Sequence, residues 1–271
     1  MTSPRPIALV TGAHSGLGKF AASGLLDAGF DVVGTSRNTS GLDPRKGVSF
    51  RDLDVTSDDS VAKLIDGVVA QFGRIDVLVN NAGMGLAGAT EENSIGQQQK
   101  LFDINVFGVI RMTNAVLPHM RAQGSGRIVN ISSIFGFMPA PYMAAYSATK
   151  YAVEGYSESV DHEVRGHNIR VLIVEPGGTR TGFDDNTTAP DSPLTAYARQ
   201  RSRANLVVAE QVNGGDDPAI VAKAIVAAAT DAKPKLRYPA GVKARQLSAM
   251  RRIVPARIFD KQLHKTFGLA D

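Results

Sequence analysis

The feature that most constrains the fold is a regular alternation of short apolar runs with longer segments of helical character. The runs IALVTG and FDVVGTS, which begin at residues 7 and 30, are rich in β-branched residues. The pattern returns in VSFRDLDV, IDVLVNNAG, GRIVNISS and IRVLIVEPGG. Strands that are apolar throughout are typical of parallel sheets, because right-handed crossovers cover both faces with helices. The sequence therefore predicts an α/β fold with a doubly wound parallel sheet.

The segments between these runs predict helices at about residues 16–28, 57–72 and 94–123, and one more that contains Tyr146. No repeat of solenoid period and no Pro/Gly/Ser linker divides the chain, so we expect one domain over residues 1–271. The least regular stretch, FDDNTTAPDSPL, follows the sixth strand, where a segment can cover a ligand in the crevice. We expect a substrate loop or lid at 183–215 and a C-terminal tail at 241–271.

Composition removes several kinds of chemistry. The chain has no cysteine, which excludes disulfides, thiolate catalysis and cysteine-ligated metals. His162 and His167 do not have HExxH spacing and no GxSxG motif occurs, so we expect neither a metal site nor a Ser-His-Asp hydrolase. No apolar run is long enough to span a bilayer and no signal peptide fits, so we expect a cytoplasmic protein.

The net charge of +4 is unevenly distributed, because KARQLSAMRRIVPARIFDKQLHK at 243–265 holds much of the excess. Such a basic, partly amphipathic segment is compatible with contact to nucleic acid or to an anionic membrane. The alternative that we favour is a terminal helix packed on the body with its basic side in solvent. Pro255 interrupts the segment, which weakens the case for a continuous membrane helix. We expect no nucleic-acid partner and no membrane span.

A glycine-rich turn follows the first predicted strand. TGAHSGLG has glycines at 12, 16 and 18, at the opening of the first helix. Glycines there permit a tight turn and let backbone N–H groups and the positive helix terminus approach a pyrophosphate. The alternative is a generic strand-to-helix turn, but the strand-turn-helix context favours dinucleotide binding.

The stretch AAYSATKYA places Tyr146 and Lys150 four residues apart, on one face of a helix. Spacing alone does not separate chemistry from an ordinary helix surface. The glycine turn resembles the TGxxxGxG turn of the short-chain dehydrogenase/reductase family, NNAG at 80–83 and YSATK match two further motifs, and Ser133 lies thirteen residues before Tyr146 as in that family. The resemblance covers about residues 6–240 and implies a Rossmann-like domain. More weakly, GTSRN, EPGGTRTGF and RYPAG are similar to the group related to 17β-hydroxysteroid and retinol dehydrogenases.

The resemblance implies roles for four side chains. Tyr146 would be the general acid or base, and Lys150 would stabilise its phenolate and bond the nicotinamide ribose. Ser133 would bond the substrate oxygen, although without the family spacing a loop-capping serine is the better interpretation. Asn105, in DINVFG, would anchor a water chain to Lys150; taken alone, it is more typical of a local helix hydrogen bond.

The resemblance also implies a set of cofactor contacts, in which Thr179 would meet the cofactor amide or phosphate. The full set comprises Gly12, His14, Ser15, Gly16, Leu17, Gly18, Ser36, Arg37, Asp54, Val55, Asn81, Ala82, Gly83, Tyr146, Lys150, Pro176, Gly177 and Thr179. Asp54 could instead cap the next helix, with Asp58 nearby.

The end of the second strand predicts which nicotinamide dinucleotide binds. An NAD enzyme usually offers an acid there, but this chain has Ser36 and Arg37, while Asp31 lies at the wrong end of the strand. Ser36 does not repel a 2′-phosphate, and Arg37 can donate to it. We therefore expect NADP(H). The alternative is that Arg37 is only a solvated surface arginine.

Together these features predict an NADP(H)-dependent oxidoreductase that interconverts a carbonyl and an alcohol. The alternatives are a dinucleotide-sensing module without turnover and a sugar-nucleotide epimerase or dehydratase. Phe135, Phe137, Met138, Tyr142 and Met143 favour an apolar substrate, and packing into the core is an equally good interpretation of several of them. The resemblance implies a homodimer or homotetramer built partly on the helices that carry Asn105 and Tyr146.

Overall fold

A computed structural model describes residues 5–42, 47–182 and 186–269. Its main sheet has seven described strands, all parallel, in the order β3-β2-β1-β4-β6-β7-β9. The strands are β1 Ile7–Val10, β2 Asp31–Ser36, β3 Val48–Asp52, β4 Val77–Asn80, β6 Gly126–Ile131, β7 Ile169–Pro176 and β9 Arg237–Ala240. Two short strands, β5 Gly85–Leu86 and β8 Thr187–Thr188, pair separately.

Helices cover both faces of this sheet. They are α1 Gly16–Asp27, α2 Asp58–Phe72, α3 Ile95–Phe102, α4 Gly108–Gln123, α5 Ala144–Val164, α6 Ala198–Asn213, α7 Pro218–Thr230, α8 Val242–Ile253 and α9 Ala256–Phe267. One core cluster joins the sheet to α1 and α7, and a second joins it to α2, α4 and α5. The doubly wound parallel sheet predicted from the apolar runs is confirmed, because the strands are parallel and helices pack on both faces. The apolar runs are explained by burial, since β1 and β4 are buried throughout.

The strand order fixes where a ligand can bind. The chain runs outward from β1 through β2 to β3 and then returns to β4 on the other side of β1. The connections after β1 and β4 therefore leave the sheet in opposite directions, which opens a crevice at their carboxyl ends. The glycine turn and the NNAG segment both follow these two strands, so they border that crevice.

Several boundaries differ from the sequence-based expectation. The predicted helix at 94–123 is interrupted by one π-helical turn, Asp103–Phe107. The third strand ends at Asp52, so Asp54 and Val55 lie in the following turn rather than in the strand. The expected lid contains α6, while its residues 183–185 lie outside the described part of the chain. The tail forms two helices, and Pro255 lies at the bend between them.

Gly18 is expected to tolerate no side chain. A Cβ there would lie 2.2 Å from the Gly12 carbonyl oxygen and 2.5 Å from Asn81 Nδ2. We expect Gly18→Ala to lower the free energy of unfolding by about 1–3 kcal/mol, as overpacking does. The control is Gly155→Ala in α5, where a Cβ meets open space and is expected to raise stability by about 0.5–1 kcal/mol. Urea unfolding measures the stability of both variants. Equal effects would contradict the conclusion that Gly12 and Asn81 leave no room for a side chain at residue 18.

Candidate active site

The glycine turn leaves the N-terminus of α1 open. Gly12 and Gly16 have φ of +66° and +50°, values that L side chains rarely adopt, and a Cβ on Gly16 would meet nothing within 4 Å. Ser15 is the N-cap residue, but its side chain makes no capping hydrogen bond; its hydroxyl instead pairs with His14 Nε2 at 3.2 Å. The first turn of α1, which includes Leu17, is thus not capped by the Ser15 side chain and has free space beside Gly16, an arrangement that fits a phosphate.

A threonine and an asparagine hold the two strand ends together. Thr11 Oγ1 accepts hydrogen bonds from the backbone N–H groups of Asn81 and Ala82, both at 2.9 Å. The Asn81 amide donates to the carbonyl oxygens of Thr11 and Gly12, at 2.9 and 3.2 Å. The predicted NNAG segment is therefore fixed against the glycine turn, and a Cβ added to its last residue, Gly83, would lie 3.2 Å from Asn105 Oδ1.

The end of β2 presents an exposed positive charge close to the turn that contains Asp54. Ser36 is half-buried and Arg37 is exposed. Asp54 accepts hydrogen bonds from the hydroxyl and the N–H of Thr56, which lower the pKa of its carboxyl, and the charge of Arg37 lowers it further. The expected alternative of Asp54 as a helix cap is not observed, because Ser57 caps α2 through the N–H of Ser60. Val55 is buried against Gly108.

Tyr146, Lys150 and Ser133 come together at the carboxyl end of β6. Tyr146 and Lys150 are both buried in the first turns of α5, and the Lys150 Nζ lies 5.7 Å from the centre of the Tyr146 ring. The ammonium donates to the carbonyl oxygen of Ile131 at 2.9 Å. Ser133 Oγ accepts the Phe135 N–H at 3.2 Å and also shares a hydrogen bond with the Tyr146 hydroxyl. The predicted constellation is thus assembled within one short region.

Burial shifts the pKa values of this pair in opposite directions. Loss of solvent raises the pKa of the Tyr146 hydroxyl, and its hydrogen bond with Ser133 opposes that shift. Burial lowers the pKa of Lys150 to about 8, while the charge of Glu154 acts in the opposite sense. At neutral pH the tyrosine therefore keeps its proton and the lysine is mostly charged.

Asn105 occupies the π-helical turn between α3 and α4. Its Oδ1 accepts the Met84 N–H, and its Nδ2 donates to the Met84 carbonyl oxygen, both at 2.9 Å. The same Nδ2 lies 3.2 Å from Thr149 Oγ1, one residue before Lys150. π-helical turns are frequent at functional sites. The side chain thus connects the segment after β4 to α5, and its contact with Lys150 is indirect.

Two buried carboxylates behind Lys150 were not singled out from the sequence. Glu154 Oε2 accepts from Arg237 Nε at 3.1 Å, and Glu175 Oε1 lies 3.5 Å from the same nitrogen. A hydrogen bond from the Ser132 side chain lowers the pKa of Glu154, whereas among the described residues no hydrogen-bond partner is found for Glu175 Oε2. Burial raises the pKa of both carboxyls, that of Glu175 to about 7 with a contribution from the charge of Glu154, so the charges of Arg237 and Arg252 do not fully compensate the burial of the two acids.

Sequence signals for this cluster exist. Glu154 is four residues after Lys150 on the same face of a helix, and Glu175 is the lone acid in the apolar run IRVLIVEP. A charge in a buried parallel strand requires a partner. The partner, Arg237, is 62 positions further along and reaches Glu175 only because β7 pairs with β9.

The segment after β7 continues the same sheet edge. Pro176 ends β7, and the carbonyl oxygen of the next residue, Gly177, accepts a hydrogen bond from the Thr179 hydroxyl at 3.0 Å. Thr179 is buried and pairs with Asp216 in an isolated parallel bridge. These three predicted cofactor residues lie beside β6 and β7, on the Tyr146 side of the crevice.

An apolar cluster surrounds Tyr146. Its ring packs edge-on against Phe135 with 6.4 Å between ring centres, and α6 and α9 contribute to the same cluster. Of the five side chains predicted to line the pocket, Phe135, Met138 and Met143 are buried, whereas Phe137 and Tyr142 are half-buried. The first three pack as core, and the other two remain partly accessible.

Two further properties bear on the expected partners. Over the described ranges, no helix is long and apolar enough to cross a bilayer. No group of three or more His, Asp or Glu side chains in the same residues has a metal-binding arrangement, and His162 and His167 are exposed.

Comparison with known proteins identifies the family. The model of the short-chain dehydrogenase family matches residues 6–192, about two thirds of the chain. A 3-ketodihydrosphingosine reductase from Bacteroides thetaiotaomicron is 40% identical over 87% of this chain and 87% of its own length. Retinol dehydrogenase 8 from Bos taurus is 33% identical over 94% and 87%. The chain belongs to the short-chain dehydrogenase family and is an oxidoreductase of that class.

Solved structures agree with this assignment. A short-chain dehydrogenase from Streptomyces avermitilis is 38% identical, covers 96% of this chain and 97% of its own, and superposes with a TM-score of 0.85. ElxO, solved as a tyrosine-to-phenylalanine variant with NADPH bound, is 29% identical, covers 86% and 95%, and has a TM-score of 0.73. The family and the Rossmann-like fold predicted from the motifs are both confirmed.

The raised pKa of Glu175 predicts a pH-dependent stability. The folded pKa of about 7 exceeds the ordinary value of 4.5, so the contribution is fully present below 4.5 and is lost as pH rises through 7. The Gln of Glu175→Gln cannot ionise. Between pH 4.5 and 7 the free energy of unfolding of this variant should therefore increase by about 1–3 kcal/mol relative to that of wild type. Urea unfolding at several pH values measures the difference.

Glu158→Gln is the matched control, because Glu158 is an exposed partner of the same Arg237. The hydrogen bond from Arg237 lowers the pKa of Glu158, so its stabilisation is present above the usual glutamate pKa and fades as pH falls. The difference between this variant and wild type should therefore have the opposite slope. Parallel curves for Glu175→Gln and wild type would contradict the assignment of a buried, protonatable carboxyl.

Proposed function

We propose that this protein is an NADP(H)-dependent carbonyl reductase, with Ser133, Tyr146 and Lys150 at its reactive centre and Asn105 in support. The observation that carries the proposal is the buried tyrosine hydroxyl bonded to Ser133 with the Lys150 ammonium beside its ring. This arrangement can hold a proton at one atom and a positive charge next to it. Reduction of a carbonyl requires a proton and a hydride, and the positive charge stabilises the phenolate that remains after proton transfer.

When bound, the nicotinamide supplies hydride to the carbonyl carbon or accepts it from the alcohol. Ser133 Oγ, at the end of β6, donates a hydrogen bond to the substrate oxygen and stabilises the charge that develops on it. Tyr146 Oη transfers its proton to that oxygen, and the adjacent ammonium of Lys150 stabilises the phenolate left behind. Because burial raises the pKa of Tyr146, its protonated form, which is the proton donor for reduction, dominates at neutral pH.

Asn105 acts through others in this proposal. Its amide links Met84 to Thr149, so it fixes the start of α5 against the segment after β4. That contact fixes the position of Lys150 relative to the end of β6. The expected water chain from Asn105 to Lys150 would run between α5 and the segment after β4.

The residues of the glycine turn and of the β2 end would hold the cofactor. The open N-terminus of α1 would receive the pyrophosphate, and Arg37 with Ser36 would receive the 2′-phosphate of NADP(H). The exposed guanidinium of Arg37 supports this assignment, because Asp54 is engaged by Thr56 and does not form an ion pair with it among the described residues. NADPH bound to ElxO, a relative of the same fold, gives further support.

The substrate is proposed to be an apolar ketone or aldehyde. The cluster around Tyr146 is made of Phe, Met, Leu, Ile and Ala side chains, and Phe137 and Tyr142 remain partly accessible at its border. Two relatives, a 3-ketodihydrosphingosine reductase and a retinol dehydrogenase, are named for long apolar substrates. The lid around α6 and the tail, in one domain with the sheet, would complete the pocket.

The other functions weighed from the sequence are less well supported. A sensor without turnover has no need of the buried tyrosine and lysine, and no additional substrate domain follows β9 in the described chain. Assembly as a homodimer or homotetramer stays a prediction; the exposed Phe107, in the π-helical turn before α4, and the exposed Tyr151 of α5 are the apolar surface it would use. Cytoplasmic localisation likewise stays a prediction.

Replacement of Tyr146 tests the proposed mechanism. Tyr146→Phe removes the proton donor and keeps the ring, so we expect a loss of about 10²- to 10⁴-fold in the rate of NADPH oxidation. NADPH affinity should be nearly unchanged. The matched control is Tyr151→Phe, on the exposed side of the same helix, which should retain full activity. The assay uses a carbonyl panel from small aldehydes to long-chain ketones, and a Tyr146→Phe enzyme as active as wild type would refute the role.

The cofactor assignment depends on Arg37. We expect Arg37→Asp to weaken NADPH binding by about 10- to 100-fold, the effect of losing a hydrogen bond to a charged group, and to shift preference toward NADH. Arg51→Asp, an exposed change on the neighbouring strand, is the control for a general charge effect. Fluorescence titration with both dinucleotides measures it. Equal affinity of the wild-type protein for NADH and NADPH would sink the assignment.

A further inference from the structure

The C-terminal hairpin, defined here as α8, α9 and the bend at Pro255, has a charge unlike that of the rest of the protein. Residues 242–267 contain seven Lys and Arg against a single acid, Asp260, which gives a net charge of +6. The whole chain has a net charge of +4, so the remaining residues sum to −2. The positive charge of this protein is therefore concentrated in one element pair.

The charged side chains of the hairpin face solvent. Six of the seven are exposed, and within the described residues none of the six forms an ion pair with an acid: Lys243, Arg245, Arg252, Arg257, Lys261 and Lys265. The seventh, Arg251, points inward, because its Nε donates to the Phe137 carbonyl oxygen at 3.0 Å. Arg252 is close enough to the buried Glu175 to lower the pKa of that carboxyl, but the described structure gives none of the six an ion pair. The outer surface thus has a cluster of cations that are free of salt bridges.

Apolar side chains emerge among these cations at the bend. Met250 is 44% exposed, Ile253 80% and Ile258 61%, so three large apolar residues lie within nine positions around Pro255. The opposite sides of the helices are occupied elsewhere, because Leu263 and Phe267 of α9 and Ala244 of α8 are buried in the cluster that contains Tyr146. An apolar tip within a basic surface, held on a packed base, is typical of interfacial membrane attachment.

We propose that the outer face of the C-terminal hairpin docks this protein on an anionic lipid bilayer, with Met250, Ile253 and Ile258 inserted at the headgroup level and the six exposed basic residues on the lipid phosphates. An anionic bilayer matches both the basic and the apolar residues of this surface, since its headgroups carry negative charge and the layer beneath them is hydrocarbon. The attachment is peripheral and involves no spanning segment.

Charge complementarity decides against the other occupants. A two-fold contact between copies of this chain would set one +6 surface against another, which is repulsive. A nucleic acid would match the cations, but its phosphate backbone offers no apolar environment for the exposed isoleucines. The inference does not depend on the proposed carbonyl reduction. If both hold, docking brings the wall of the active site, to which Leu263 and Phe267 belong, close to the lipid surface.

Co-sedimentation of the full chain with vesicles tests the proposal. We expect binding to vesicles of phosphatidylcholine with phosphatidylserine, little binding to phosphatidylcholine alone, and release by high salt. Ile253→Asp should weaken binding to the mixed vesicles by about tenfold or more. Arg252→Glu combined with Arg257→Glu should weaken it by about 25-fold or more, from roughly fivefold per removed charge.

Matched controls keep the result specific. Ile95→Asp removes an isoleucine that is 68% exposed at the start of α3, and Arg121→Glu reverses an exposed charge in α4. Neither should change vesicle binding. The proposal is overturned if wild-type protein does not bind the mixed vesicles, or if Ile95→Asp weakens binding as much as Ile253→Asp. It is also overturned if Ile253→Asp lowers only the oligomeric mass, which would indicate a copy interface, or if duplex DNA binds tightly and displaces the vesicles.

Discussion

The buried ammonium of Lys150 is the constraint around which the carboxyl edge of the sheet is organised. A charge that has left water must be hydrogen-bonded and compensated, or it loses its proton. Its hydrogen bond to the Ile131 carbonyl oxygen requires α5 to lie directly along the end of β6. Its compensating charge, Glu154, is one helical turn further on and is tied to Arg237 of β9. One lysine therefore relates α5, β6 and the edge strand of the sheet.

A second buried network fixes α5 along its length. Asn80 Nδ2 donates to Asn130 Oδ1 at 2.8 Å, which joins neighbouring strands, and Asn130 Nδ2 donates to Ser157 Oγ at 2.8 Å. Ser157 in turn donates to the Val153 carbonyl oxygen within the helix. Apolar side chains alone would let the helix slide, whereas paired polar groups in the core make a displaced register costly. The position of Tyr146 relative to Ser133 is thus also supported by the Ser157 contact, which lies about three turns further along α5.

Much of this arrangement could be predicted from the sequence, because the signals are local. Apolar runs indicate the main buried strands, glycines indicate the turn after β1, and a four-residue spacing places Tyr146 beside Lys150. The π-helical turn around Asn105 could not be predicted, since one added residue hardly disturbs the apolar period. The Glu154, Glu175 and Arg237 cluster depends on strand pairing between distant segments. Its local signals are Glu175 in a buried strand and Glu154 four residues after Lys150. They indicate a cluster only when β7 and β9 are known to be neighbours.

The apolar wall around Tyr146 is held in place partly by an ion pair between residues that are far apart in the sequence. Helix α6 contributes Ala204 and Val207 to that wall. It is held by Glu92, which is completely buried, accepts the Leu194 N–H at 2.8 Å and forms an ion pair with Arg201. Removing one partner of such a pair leaves an uncompensated charge, at a cost of about 3–5 kcal/mol. If α6 moved away from the site, either this ion pair would break or the segment around Glu92 would move with the helix. We therefore expect α6 and the segment around Glu92 to move together.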